Sequence, residues 1–367
     1  MHAEVHGIFS SRCGFFGLRN AGENDHDNPA LGSIAVSARE ELCSPRRACA
    51  RHRALCLTAS MPAAAAANRI PSLAVWRDSI AKVETPSEGC FTAAYPKLQW
   101  DRTACGPAPK ITRVPPAGVQ PNTVGNGNDY VASVPGLMSM SRGTFPGTQG
   151  VKTEYDSGLG LSDTYSLQLN SQYFSGSPAC AGAEVPANCK AWQQFSFNNE
   201  GAGSNQYGNI TMQYWLLDYG RTCPHGWHRF YPHCVRNSKT VYLGFPQPTI
   251  KFRYISGLTL TATAKAGGND KLVLVAGSYA YSVAANDDIV DLSQFWNQSE
   301  FNAFGIGYGS NAMVNSASLI KVRIGVQDSA GKPPVCVGNS GTTAEGNNMT
   351  LGSCTVTGNL IQFSETN

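Results

Sequence analysis

The sequence predicts an all-β protein, an antiparallel β-sandwich preceded by a short helical, disulfide-containing N-terminal segment. Three observations carry this. Period-two alternation of apolar and polar residues recurs from Tyr165-Ser-Leu-Gln-Leu-Asn170 to Leu319-Ile-Lys-Val-Arg-Ile-Gly-Val326. Such alternation places one face of a strand in a core and the other outside it. Clusters of Gly, Asn and Asp separate these runs at short intervals, as hairpin-connected strands require. Finally, helical periodicity does not alternate with them, which excludes a nucleotide-binding α/β architecture.

The helical exception comes first in the ordered part of the chain. Pro71 suits a first helical turn, and Leu73, Trp76, Ile80 and Val83 recur at three- and four-residue spacing, so a helix is expected over residues 71–83. Gly89 to Pro121 reads as loop and linker, punctuated by Pro107, Pro109, Pro115, Pro116 and Pro121. Strands are then expected at Tyr165–Asn170, Gln193–Phe197, Ile210–Leu217, Leu258–Thr263, Lys271–Val275, Ser278–Val283 and Leu319–Val326. The expected organisation is an extension over residues 1–68, a helix and Pro-rich linker over 69–121, and a sandwich domain over 122–367.

Residues 1–69 differ in composition from the rest, holding 8 Arg, no Lys and 6 acidic residues. Of the 28 basic and 25 acidic side chains, 20 and 19 remain for the body of the chain, which is close to neutral. The basic run Arg46–Arg53, the short apolar stretch from Ala54 and the alanine tract ending at Asn68 have the layout of a secretion signal. The residues before it read as a spurious or disordered extension, and the expected location is secreted or periplasmic. No run of 18 or more apolar residues occurs, so integral membrane association is not expected. The near-neutral body argues against nucleic acid as a partner. A monomer is expected.

Beyond the signal the cysteines number eight, at 90, 105, 180, 189, 223, 234, 336 and 354. An even number in an exported chain implies a disulfide framework, and the spacing favours neighbours: Cys90–Cys105, Cys180–Cys189, Cys223–Cys234 and Cys336–Cys354. None forms a Cys-x-x-Cys, and none is left over as a thiol nucleophile. The histidines of the body all lie in Cys223-Pro-His225-Gly-Trp-His228-Arg-Phe-Tyr-Pro-His233-Cys234. Without a His-x-x-x-His pair or a nearby carboxylate this reads as a solvent-exposed loop, and no metal or other cofactor is expected. Any histidine-based triad would have to draw on this one loop, and neither a Gly-x-Ser-x-Gly elbow nor a phosphate-binding loop occurs. Carboxylates and amides remain. Gln168 lies in an alternating strand, and Glu300 is flanked by Trp296, Phe301 and Phe304. A desolvated carboxyl rises in pKa toward the range of a general acid/base, and a fixed amide can donate to a developing oxyanion. The alternative is a solvent-facing Gln168 and a Glu300 on a surface helical turn.

Leu167-Gln168-Leu169-Asn170 and Ser299-Glu300-Phe301-Asn302 resemble, in context and order, the glutamine and glutamate motifs of the glutamic peptidases (eqolisins). Ala191-Trp-Gln-Gln-Phe195 and Gln213-Tyr-Trp-Leu216 are similar to that family's Trp/Tyr-rich central strands, and Gly143-Thr-Phe-Pro146 to one of its turns. Leu169 and Asn170 stand where the family has small residues, and Phe301-Asn302 where it has Trp-Ile. The resemblance spans roughly residues 125–325. It implies a concanavalin-like jelly roll and an acid endopeptidase in which Glu300 activates water and Gln168 holds the oxygen of the tetrahedral intermediate. Trp192, Gln194, Tyr214, Trp215 and Trp296 are then the substrate-binding candidates, for a polypeptide substrate. Two other readings stand beside it. One is a carbohydrate-binding or glycan-active protein, with Tyr207, Tyr214, Trp215, Trp227, Phe230 and Tyr231 lining a sugar groove. The other is a non-catalytic extracellular interaction protein.

Overall fold

A computed structural model of the chain describes residues 70–107, 129–201, 207–244 and 247–367. The expected signal and extension, with Cys13, Cys43, Cys49 and Cys56, lie outside the described residues, as does most of the Pro-rich linker. Among the described residues the chain forms two large antiparallel sheets, of ten and nine strands, and a small three-stranded one. The central path of the first sheet runs Gly89–Ala94, Tyr279–Asn286, Asn269–Ala276, Leu258–Thr263, Met138–Gln149, Leu319–Asp328 and Leu360–Thr366. The second runs Val335–Gly338, Tyr130–Ser133, Gln298–Phe304, Thr164–Ser171, Lys190–Glu200, Gly208–Leu217, His233–Asn237 and His228–Phe230.

The core fills the space between these sheets, as the alternation dictates. Leu167, Leu169, Phe195, Phe197, Ile210 and Met212 from the second sheet and Leu260, Leu272, Leu274, Val322 and Ile324 from the first belong to one buried cluster. Lys271-Leu-Val-Leu-Val275 is nearly unbroken in apolar character because its strand is covered on both sides. Leu272 and Leu274 face the core, while Val273 and Val275 pack under the helix with Phe91, Trp76 and Ile80. That helix spans Leu73–Ile80, shorter than expected, because Ser72 caps it by accepting from the Val75 amide and leaves Pro71 outside.

Each expected strand is present, with ends within three residues of the expected ones. The difference lies in strands that composition hid. Gly89–Ala94 and Asp101–Thr103, expected as loop, are strands of the first sheet, because Cys90 and Phe91 point to opposite buried faces. Met138–Gln149 holds three residues that normally interrupt strands, Gly143, Pro146 and Gly147. Pro146 sits at a register shift opposite Lys321 and Arg323, where a missing N–H costs least. Gly143 is required by close approach: a Cβ there would lie 2.1 Å from the Phe301 ring of the second sheet.

All four expected disulfides are present, between residues 9 to 18 apart in the chain. Cys90–Cys105 ties the edge of the first sheet to the loop beyond Asp101–Thr103. Closing a loop of that length is worth about 3 kcal/mol through the unfolded chain. Replacing both cysteines by Ala should therefore lower the free energy of unfolding by about 3 kcal/mol in denaturant titration, and an unchanged midpoint would contradict this.

Candidate functional site

Pleating decides which side chains of the second sheet leave the core. In Thr164–Ser171, Leu167 and Leu169 point inward, so Ser166, Gln168 and Asn170 point to the other face. The neighbouring strands contribute Gln194, Ser196 and Asn198, then Asn209, Thr211 and Gln213, and on the other side Glu300 and Asn302. Register aligns them in rows. Glu300, Asn170, Gln194, Gln213 and Asn237 are successive cross-strand partners over five strands. Gln168, Ser196 and Thr211 continue the next row from Asn302. A sheet face built of amides and a carboxylate is poor material for a core and good material for recognising polar groups.

Gln168 and Glu300 lie on this one face, joined through a residue between them. Asn170 Nδ2 donates to Gln168 Oε1 at 3.2 Å and to Glu300 Oε2 at 3.0 Å. Gln168 Oε1 also accepts from Gln194 Nε2 at 3.1 Å, which fixes the amide orientation. Its Nε2 gives one hydrogen to Ser166 Oγ at 2.9 Å, and the amide carries a second. Glu300 Oε2 further accepts from the Thr342 amide at 3.0 Å and the Thr342 hydroxyl at 3.4 Å. Its Oε1 has no hydrogen-bond partner, nor do Asn170 Oδ1, Gln194 Oε1 and Ser196 Oγ. Buried polar atoms normally find partners, and these four lie together on one face of the sheet.

The alternative of a surface Glu300 on a helical turn is overturned: it sits within the strand Gln298–Phe304 and is 1% exposed. Gln168 is likewise buried rather than facing solvent. Burial pushes the Glu300 carboxyl up to about 7, with Glu345 adding repulsion, while the bonds from Asn170 and Thr342 pull it down. The segment Ser340–Thr342 closes over this carboxyl, and the space it shares with Val131 and Asn170 is too small for a water molecule. Thr342 Oγ1 bonds the Ser171 carbonyl and Tyr173 OH the Thr342 carbonyl, so the segment is tied down beside Glu300.

A second carboxyl group adjoins it. Asn302 Nδ2 donates to Asp129 Oδ1 at 2.7 Å and to Glu365 Oε1 at 2.6 Å. Burial raises Glu365 to about 7 against the bonds from Asn302 and Asn347. Asp129 is raised well above the usual carboxylate value by burial and then by Glu365 and Glu300. Among the described residues, no group of His, Cys, Asp and Glu has the arrangement of a metal site.

The aromatic candidates divide by parity. Trp192 and Trp215 are cross-strand partners on the polar face, beside Gln194 and Gln213, and form a small cluster with Leu217, Val235 and Tyr173. Trp192 Nε1 donates to the Ser171 carbonyl and Trp215 Nε1 to Gln213 Oε1. Tyr214 and Trp296 are not brought to this face. Tyr214 neighbours Trp215 and therefore points into the core, and Trp296 stacks on Phe195 there. Asn170, Gln213 and Thr342 complete the site without having been singled out by sequence. The two-residue step from Gln168 was a usable signal for Asn170, whereas nothing local marks Thr342. No protein-family model matches the chain, and no curated protein is similar to it in sequence.

Proposed function

We propose that this protein is an exported, acid-acting endopeptidase of the glutamic type, built on a concanavalin-like jelly roll, with Gln168 and Glu300 as its dyad. The observation that carries the reading is the shared hydrogen-bond donor: one Asn170 amide holds both side chains on one face. In peptide hydrolysis the water oxygen bonds to the scissile carbonyl carbon and the C–N bond breaks. Raised to about 7 by burial, Glu300 is neutral at acid pH, so it gives its proton to the leaving nitrogen and recovers one from the attacking water, returning to its starting state. The second Nε2 hydrogen of Gln168 is the donor available to the oxyanion. Trp192 and Trp215 lie on the same face but are fully buried among Tyr173, Leu217 and Val235, so they shape the face beneath the dyad rather than touch substrate. Access to Glu300 requires displacing Ser340–Thr342, which lines the space beside it. Four disulfides accord with an exported chain, and among the described residues no helix is long and apolar enough to cross a membrane.

The test is casein cleavage at about pH 3–4, where carboxyl chemistry of this kind operates. Glu300→Gln keeps the size and the hydrogen bonds but cannot carry the proton, so the rate should fall by at least about a hundredfold. Cleavage by the mutant at the wild-type rate would remove Glu300 from the mechanism.

A further inference from the structure

A groove of about 590 Å³ opens at the edge of the second sheet, between the Cys223–Cys234 hairpin, Glu88–Gly89 and the segment Ala284–Ile289. We propose that it is a binding site for a neutral saccharide, separate from the Gln168–Glu300 face. Asn237 is the groove residue in the cross-strand row that begins at Glu300, four strand spacings away, or roughly 19 Å. The groove's size is that of a small-molecule site.

Its walls select the ligand class. Arg236 and Lys239 stand against Glu88 and Asp288, two charges of each sign. Among the described residues, the side chains of Arg236, Lys239 and Glu88 make no hydrogen bond or ion pair with one another or with anything else. A charged ligand would meet repulsion from one pair for every attraction to the other, and the walls sum to no net charge. A polyol gains from both: the cations donate to hydroxyl oxygens and the carboxylates accept from hydroxyl hydrogens. Asn237 Oδ1 is held by Gln213 Nε2, which turns the Asn237 Nδ2 into a placed donor.

Trp227 is the aromatic group of the groove, half-buried and packed against the edge of the core. An indole beside dense polar groups suits a pyranose, whose C–H face is apolar and whose rim is hydroxylated. Ala284, Ala285 and Ile289 extend the apolar part of the wall. The site is rigid for its position in a loop. The Cys223–Cys234 bridge closes the hairpin, the Trp227 amide bonds the Pro224 carbonyl, and Asn286 Oδ1 accepts from the Asp288 amide. Pre-organisation of this kind lowers the entropy cost of binding.

The experiment is titration of the full chain with maltotriose, cellotriose and chitotriose, followed by tryptophan fluorescence and calorimetry. At least one should bind with saturation below about 10 mM. Trp227→Ala should weaken that binding by at least about tenfold, and Trp227→Phe, which keeps a ring, should weaken it less. Glu300→Gln should leave it unchanged, so this site stands or falls independently of the hydrolase reading. Retention of the Cys223–Cys234 bridge and of the wild-type circular dichroism would certify the folding of the variants. No binding of any of the three sugars, or binding indifferent to Trp227→Ala, overturns the proposal.

Discussion

Raising the pH from about 4.5 to 7 is expected to destabilise this protein by several kcal/mol. Glu300 and Glu365 are raised from 4.5 to about 7 and Glu154 to about 9, in each case chiefly by burial. These folded-state values lie above those of the unfolded chain. The stabilising contribution of the neutral form is therefore complete below the unfolded value and is lost as pH rises through the folded one. Each carboxyl that the native state keeps protonated lowers the free energy of unfolding by about 1.4 kcal/mol per pH unit over that window. For Glu300 and Glu365 this amounts to roughly 3 kcal/mol each by pH 7, a large share of the stability of an ordinary domain. Denaturant unfolding at pH 4, 5.5 and 7 measures it directly. Glu365→Gln, which mimics the neutral acid, should match the wild type at pH 4 and exceed it at pH 7. A wild-type stability that is flat or rising over this range would show that these carboxyls ionise in the folded protein without penalty.

Substituting Gly143 by Val is expected to be the most damaging single change in the core. Its Cβ would fall within 2.1–2.4 Å of three atoms of the Phe301 ring, and that ring already packs on Phe145 at 5.0 Å between centroids. Neither neighbour is the far end of a flexible chain, so the sheets must part locally, at a cost of at least about 3 kcal/mol. The effect reaches the polar face as well, because Phe301 follows Glu300 in its strand. Thermal unfolding of Gly143→Val compared with Gly143→Ala would reveal a graded loss. A Val variant as stable as the wild type would mean that the two sheets are not in contact at this point.

The two-layer architecture was legible because most of its strands have one buried and one differently composed face. Thr164–Ser171, Lys190–Glu200 and Gly208–Leu217 all state their orientation by alternation. The missed strands lack that contrast. Gly89–Ala94 is buried on both faces with small residues, and Met138–Gln149 carries Gly143 and Pro146 for reasons that only its partners reveal. The same limits apply to the candidate site. Alternation was enough to place Gln168, Gln194, Trp192 and Trp215 on a common face, and applied strictly it would have sent Tyr214 to the other. Glu300 was found from its aromatic flanks, of which Phe301 and Trp296 lie in the core while Phe304 shares the parity of Glu300 in their strand. Thr342 lies 42 residues beyond Glu300, in a segment without periodicity, and only the folded chain brings its amide to that carboxyl.

The four cysteine bridges each join residues no more than 18 positions apart, whereas the sheets pair strands separated by far more, such as Met138–Gln149 with Leu319–Asp328. Covalent closure and sheet assembly are thus decoupled in the order of synthesis. Each bridge needs only its own short segment to form. Oxidative refolding of this chain therefore has a small search to make among cysteine pairings. The sheet pairings, by contrast, join distant segments, as Gly89–Ala94 does with Tyr279–Asn286.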